Sequence, residues 1–381
     1  MYLISKNECS GCHACFNICP KNCISMETDK DGFLQPKINN AECIECSLCR
    51  KVCPIINQHE KNPIGTAYAC INKDKIIREE SSSGGIFTLI AEWILKKDGV
   101  VFGAAFDRFF NVRHIAVTDI RDLSLLRGSK YVQSTIGTTY SEAKLLLEQG
   151  KYVLFTGTPC QIAGLNSYLR KDYDNLMTLD IICHGVPSPK VWKNYIEYLK
   201  KKFSSNVRKC FFRNKETGWK QFSVSMEFEN DARYNQIFQK DLYMQSFLRN
   251  LCLRESCYNC HSKGLERESD ITLGDYWGIE NIHKEMFDDK GVSLVIVNSN
   301  KGQKIFDEIS DKMTITKTNL KEAVQYNSAA NRSVAYNKSR KKFLRNLGKI
   351  DFEKNVIICS KAKFSRRVIN KIKRIVNLIK I

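Results

Sequence analysis

The stretch Cys9-Ser-Gly-Cys12-His-Ala-Cys15-Phe-Asn-Ile-Cys19-Pro20 recurs in form as Cys43-Ile-Glu-Cys46-Ser-Leu-Cys49-Arg-Lys-Val-Cys53-Pro54. Both runs have the spacing C-x2-C-x2-C-x3-C-P. Three thiolates separated by two residues each can wrap one cubane from a single loop, while the fourth reaches a neighbouring cluster and the proline turns the chain away. The spacing therefore assigns one [4Fe-4S] cluster to Cys9, Cys12, Cys15 and Cys53. It assigns a second to Cys43, Cys46, Cys49 and Cys19. A zinc ribbon would need only two C-x2-C pairs, and neither zinc nor a disulfide framework explains the doubled x3-Cys-Pro ending. Such a unit moves electrons.

Working outward, residues 1–61 read as a bacterial-type two-cluster ferredoxin domain. Between the two runs, residues 24–33 predict a hairpin turning at Asp31-Gly32. A polar link, Asn57 to Pro63, leads into a larger domain. The 381 residues are 43% hydrophobic and 27% charged, as in soluble globular proteins. The N-terminus does not read as a signal peptide, and no apolar run approaches the ~18 residues of a membrane span. Seventeen cysteines without a secretory signal point to a reducing cytoplasm and metal ligation.

The formal charge of +19 is unevenly placed. Residues 331–381 hold 16 Lys/Arg and two acids, whereas the first 330 residues hold 44 basic and 39 acidic side chains. The positive charge belongs to a tail rather than to a groove. Residues 361–381 place Val368, Ile372, Ile375 and Ile379 at helical spacing among basic residues. That pattern suits either a peripheral contact with anionic membrane or a helix packed on the domain. Nucleic acid is disfavoured because aromatic residues are sparse there.

Residues 62–330 alternate strand-like and helix-like segments, which predicts an α/β fold with a mixed sheet. Strands are expected at 66–71, 99–106, 112–118, 152–156, 176–183, 271–273 and 292–298. Helices are expected at 85–97, 139–149, 161–170, 189–203 and 303–309, with an antiparallel excursion over 207–213 and 221–229. Cys160 follows one strand and Cys183 ends the next, so parallel pairing would bring them to one sheet edge. Cys257-x2-Cys260 adds two thiols. Spacing alone leaves this set open between a third iron–sulfur cluster, a structural zinc and buried thiols. Ser81-Ser-Ser-Gly-Gly85 precedes a helix and suits either a pyrophosphate or a plain N-cap. Arg127-Gly-Ser-Lys-Tyr131 could serve a flavin or be a solvated loop. His184, beside Cys183, is open between proton donor and structural residue. Cys23 and Cys252 are either alternative ligands or packing thiols.

Taken together, SSSGG (81–85), RGSKY (127–131), GTPCQ (157–161), CHGVP (183–187) and CYNC-x9-DITLGDYWG resemble the coenzyme F-420 hydrogenase/dehydrogenase beta-subunit family. The N-terminal unit resembles its ferredoxin-fused form. The resemblance spans roughly residues 5–330 and implies an iron–sulfur flavoprotein. It implies a third [4Fe-4S] cluster on Cys160, Cys183, Cys257 and Cys260, and FAD contacts at Ser83, Gly84, Gly85, Lys130, Tyr131 and Thr158. The expected function is an oxidoreductase passing electrons between the clusters, FAD and an organic substrate. The alternative is a non-catalytic electron-transfer subunit. A redox partner protein such as ferredoxin is expected in either case. The basic tail departs from the short hydrogenase subunit, and relatives with other substrates leave the substrate open.

Overall fold

The computed structural model describes residues 3–58 and 60–361. The amphipathic pattern of 361–381 lies outside them, apart from the backbone of Lys361. Two short strands, β1 (Ile24–Thr28) and β2 (Leu34–Ile38), pair antiparallel in the N-terminal unit. The expected hairpin is present but longer, with its second strand starting beyond residue 33. Asp29 shapes its turn by accepting the N–H groups of Asp31 and Phe33. Gly32 supplies a left-handed φ of 91°.

Eleven strands follow among the described residues: β3 (Thr66–Asn72), β4 (Val100–Phe106), β5 (Val112–Val117), β6 (Val153–Gly157), β7 (Leu176–Ile181), β8 (Val207–Asn214), β9 (Ser223–Phe228), β10 (Arg233–Ile237), β11 (Ile271–Asp275), β12 (Ser293–Val297) and β13 (Met313–Thr318). Eight form one mixed sheet in the order β13-β3-β12-β11-β7-β6-β4-β5. Its centre, β4-β6-β7-β11, is parallel, and the outer pairings are antiparallel. Central strands such as VVFGAAF and SLVIV are apolar runs because helices cover both faces. Strands β8, β9 and β10 form the antiparallel excursion as a separate three-stranded sheet. The expected helices are found, among them Ile86–Leu95, Thr139–Glu148, Pro159–Leu169 and Pro189–Phe203.

The N-terminal unit is docked, not tethered. Its Cys12, Ala14 and Val52 share one apolar core with Phe102, Tyr140, Phe155 and Leu165 of the α/β domain. The polar link is pinned at both ends. Asn57 donates to the carbonyls of Arg50 and Lys51, and Asn62 donates to that of Ser269. The hairpin turn also docks, with the Ser188 hydroxyl donating to the Asp31 carbonyl at 2.5 Å. Buried Arg340 pairs with Asp31 at 3.1 Å and with Glu255 at 2.8 Å.

Candidate functional site

The first cysteine set is an interior site. Cys9, Cys12, Cys15 and Cys53 are all under a tenth exposed; Cys9 and Cys12 come from the loop entering the helix Ala14–Ile18, and Cys15 from its first turn. Burial raises the Cys12 thiol to about 12, with Cys9 and Cys53 adding to the effect. Cys15 is raised well above the usual thiol range, by burial first and then by Cys12, Cys9 and Cys53. Crowded, desolvated thiols of this kind give up their protons only to a strongly positive centre, which is what the irons of a cluster supply. The donor set fits the group.

The second set lies toward solvent. Cys19, Cys43, Cys46 and Cys49 line a cavity of roughly 350 Å³, open solvent included, with Ile24, Ile38 and Leu48. Cys46 is exposed. Cys23 lines the same cavity, with its sulfur 3.4 Å from that of Cys19. That fifth cysteine is thus within the site rather than merely packed near it. Cys49 feels Cys43 and Cys46, and Cys15 of the first set feels Cys49, so the two sets adjoin.

Cys160, Cys183, Cys257 and Cys260 come together, as the parallel pairing of β6 and β7 requires. Cys160 sits in the first turn of Pro159–Leu169, after β6, and Cys183 follows β7. Cys257 and Cys260 arrive on the short 3-10 turn Glu255–Asn259 and its cap. All four line one cavity of about 570 Å³, open solvent included. Burial raises Cys160 strongly, with Cys260, Cys183 and Cys257 contributing. It raises Cys183 to about 11 and Cys257 to about 12. Val186 N–H donates to the Cys257 sulfur at 3.4 Å. Among the described residues no group of three or more His, Cys, Asp or Glu is gathered to hold a single metal ion. The four cysteines ring a space.

Glu8, Ser10 and Ile55, which flank the first set, also wall this cavity. His184 lies there too, its Nε2 2.8 Å from Asn250 Oδ1, its ring edge-on to Phe247, its pKa lowered by burial. Cys252 is buried against Ser246 as a packing thiol.

The flavin-candidate segments lie at the carboxyl ends of β4, β6 and β11. Ser82 and Ser129 hydroxyls stand 2.9 Å apart, joining the SSSGG and RGSKY loops. Ser83 Oγ donates to the Val292 carbonyl, and the Gly84 N–H to Ser293 Oγ. A Cβ on Gly84 would stand 2.3 Å from the Cys70 carbonyl oxygen, so strand packing alone requires glycine there. Gly85, with φ of 84°, caps the helix Ile86–Leu95. Half-buried Lys130 donates to the carbonyls of Leu125 and Arg127, and desolvation lowers its pKa to about 7. Tyr131 packs on Phe212 and Phe247. Thr158 caps Pro159–Leu169 in a capping box with Gln161, its hydroxyl 3.2 Å from Cys160 Sγ.

Sequence reasoning missed Arg213 and Asp275. Arg213 is buried, pairs with Asp275 at 2.7 Å, donates to Tyr131 Oη and to the Ser82 carbonyl, and stacks over Phe222. Its Nε has no partner among the described residues. The only advance signal was the Asp in DITLGDYWG. Nearby the sheet is uncovered: Ile181 is 45% exposed although β7 has neighbours on both sides, and the last residues of β6 and β11 are only half-buried.

A dicluster cysteine unit docked on an α/β domain defines the class, an iron–sulfur electron-transfer protein. Residues 8–55 match the model of the 4Fe-4S dicluster domain, and residues 150–323 match that of the C terminus of the coenzyme F420 hydrogenase/dehydrogenase beta subunit. The chain thus joins a dicluster ferredoxin domain to a C-terminal domain of that beta-subunit family. Among solved structures it is similar to a chain of the F420-reducing [NiFe] hydrogenase complex from Methanosarcina barkeri, with 18% identity, a TM-score of 0.46, and coverage of 80% of this chain and 93% of that one. No curated protein matches. Among the described residues no helix is long and apolar enough to cross a membrane.

Proposed function

We propose that this protein is an iron–sulfur flavoprotein oxidoreductase, coupling two ferredoxin clusters, a third [4Fe-4S] cluster and FAD to the reduction or oxidation of an organic substrate. The observation that carries it is the convergence of Cys160, Cys183, Cys257 and Cys260 on one cavity whose wall continues into Glu8, Ser10 and Ile55 of the ferredoxin unit. When bound, the clusters supply one-electron steps and FAD supplies the two-electron exchange that side chains cannot perform.

The chain's own part is placement and exclusion. The capping box at Thr158 and Gln161 fixes the turn that presents Cys160. Lys263 donates to the Cys183 and Ala329 carbonyls, holding the two sides of the cavity together. The uncovered carboxyl edge around Ile181, with Ser83, Gly84, Gly85, Lys130, Tyr131 and Thr158 nearby, is where a crevice ligand of an open α/β sheet belongs. Exposed Cys46 marks the face toward a redox partner protein. The reading places the protein in the cytoplasm, with the basic tail in peripheral contact with anionic membrane.

One observation favours a second reading, a non-catalytic electron-transfer subunit. Ser83, Gly84 and Gly85 are already engaged in packing and internal hydrogen bonds, as a loop without a ligand would be. Iron and flavin content after anaerobic purification separates the two. About twelve irons per chain with bound FAD supports the oxidoreductase, and about eight irons without flavin supports the relay. Cys160→Ala is expected to lose one cluster and spare the ferredoxin pair. Unchanged iron in that variant would end the third-cluster assignment.

A further inference from the structure

Arg254 is 1% exposed and sits at the seam between the ferredoxin unit and the α/β domain. Its guanidinium donates to the Cys9 carbonyl at 2.7 Å, the Leu34 carbonyl at 2.9 Å and the Gln133 side-chain oxygen at 3.0 Å. All three acceptors are neutral. Other buried arginines are matched by carboxylates: Arg213 by Asp275, Arg267 by Asp180, and Arg340 by Asp31 and Glu255. A buried guanidinium with only neutral acceptors is strongly disfavoured unless a counter-charge lies nearby.

Its surroundings contain two sets of cysteines. The Cys9 carbonyl that it grips belongs to a ligand of the first set. A Cβ added to Gly11, in the same loop, would stand 2.8 Å from Arg254 Nη1. On the other side, the Arg254 carbonyl accepts the N–H of Cys257, and its own N–H donates to Val186. Val186 and Cys257 both wall the third cavity. No hydrogen bond of Arg254 reaches the second set.

We propose that the counter-charge of Arg254 is the iron–sulfur cofactor itself, so that this one guanidinium, shared by the first and third sites, raises the reduction potential of both and leaves the second unchanged. The proposal rests, for its third-site half, on the function proposed above. The sign follows from Coulomb's law in a water-poor interior: an added electron makes a cluster more negative, and a fixed positive charge favours that state.

The test is a redox titration followed by electron paramagnetic resonance. Cys46→Ala and Cys160→Ala backgrounds assign the second and third signals. Arg254→Gln is expected to keep wild-type iron and to shift the first and third potentials negative, with the second unmoved. Should Arg254→Gln not accumulate as folded protein, Gln133→Glu serves instead. It places a carboxylate at the Nη1 contact without removing the arginine, and should produce the same paired negative shift. Arg254→Lys keeps the charge with fewer bonds and should hold both potentials near wild type. Unchanged potentials in Arg254→Gln or Gln133→Glu would overturn the proposal, as would an equal shift of all three clusters. About eight irons in the wild-type protein would instead remove the third cluster, and a negative shift of the first cluster alone would then uphold the Arg254 assignment.

Discussion

At the residue scale, His114 shows how a side chain with no place in the motifs supports the site. It lies on β5, is 2% exposed, and its Nε2 is 2.8 Å from the Thr156 carbonyl. A carbonyl only accepts, so Nε2 carries the proton and Nδ1 accepts from the Ser134 hydroxyl at 2.9 Å. Ser134 in turn accepts from Gln161, whose oxygen accepts the Thr158 N–H. The chain of bonds ends in the turn that presents Cys160. Burial lowers His114 from its ordinary value of 6.5 to about 4. The unfolded chain therefore binds a proton in that interval that the folded protein refuses. Its contribution is intact above pH 6.5 and is lost as the pH falls toward 4, by up to about 1.4 kcal/mol per pH unit. Anaerobic denaturant titrations at pH 6.5 and 5 should show a smaller drop for His114→Gln than for the wild type. Equal drops would remove His114 from the account.

At the element scale, the helix Pro159–Leu169 joins two sites. Its first turn carries Cys160, and one turn later Gly164 lies against Cys12 of the first set. A Cβ at Gly164 would stand 2.7 Å from Cys12 Cβ, 3.0 Å from Cys12 Sγ and 2.9 Å from Tyr140 Oη. Tyr140 is fully buried, donates to the Gln161 carbonyl at 2.6 Å, and feels both Cys12 and Cys160. Gly164→Ala should therefore cost about 1–3 kcal/mol through overpacking, and disturb the first cluster before the second. Tracking the two cluster signals during anaerobic unfolding checks this, and simultaneous loss of both would contradict it. This helix was legible in the sequence, as a helical segment over 161–170 following the Gly-Thr-Pro-Cys turn, whereas the capping box of Thr158 with Gln161 emerged only in the structure. The role of Gly164 was not legible either, since its neighbour lies 152 positions earlier in the chain. Strand β13 was likewise missed, because Met313–Thr318 reads MTITKT, an edge strand with only one buried residue.

At the scale of the whole molecule, the ferredoxin unit and the α/β domain share a core and two buried arginines, Arg254 and Arg340. Arg340 also donates to the Leu253 carbonyl at 2.8 Å, tying the hairpin turn to the segment that precedes Cys257. Removing one member of such a buried network typically costs ~3–5 kcal/mol because its partners are left unmatched. Arg340→Met should accordingly release the N-terminal unit faster in limited proteolysis, with wild-type iron at the outset. A cleavage rate equal to wild type would show that the shared core and the remaining seam bonds hold the unit without Arg340.

By itself, the sequence determined the dicluster cysteine pattern and the alternation of strands and helices. Thiol spacing within a single loop is a local property, and so are the apolar runs that mark strands and helices. Tertiary structure alone decided what adjoins what: Cys183 beside Cys257, Cys12 against Gly164, Cys23 inside the second cavity, Arg254 between two thiol sets. Those contacts join residues tens to hundreds of positions apart, through strand order and docking, and no local pattern of residue types encodes a distance across a seam.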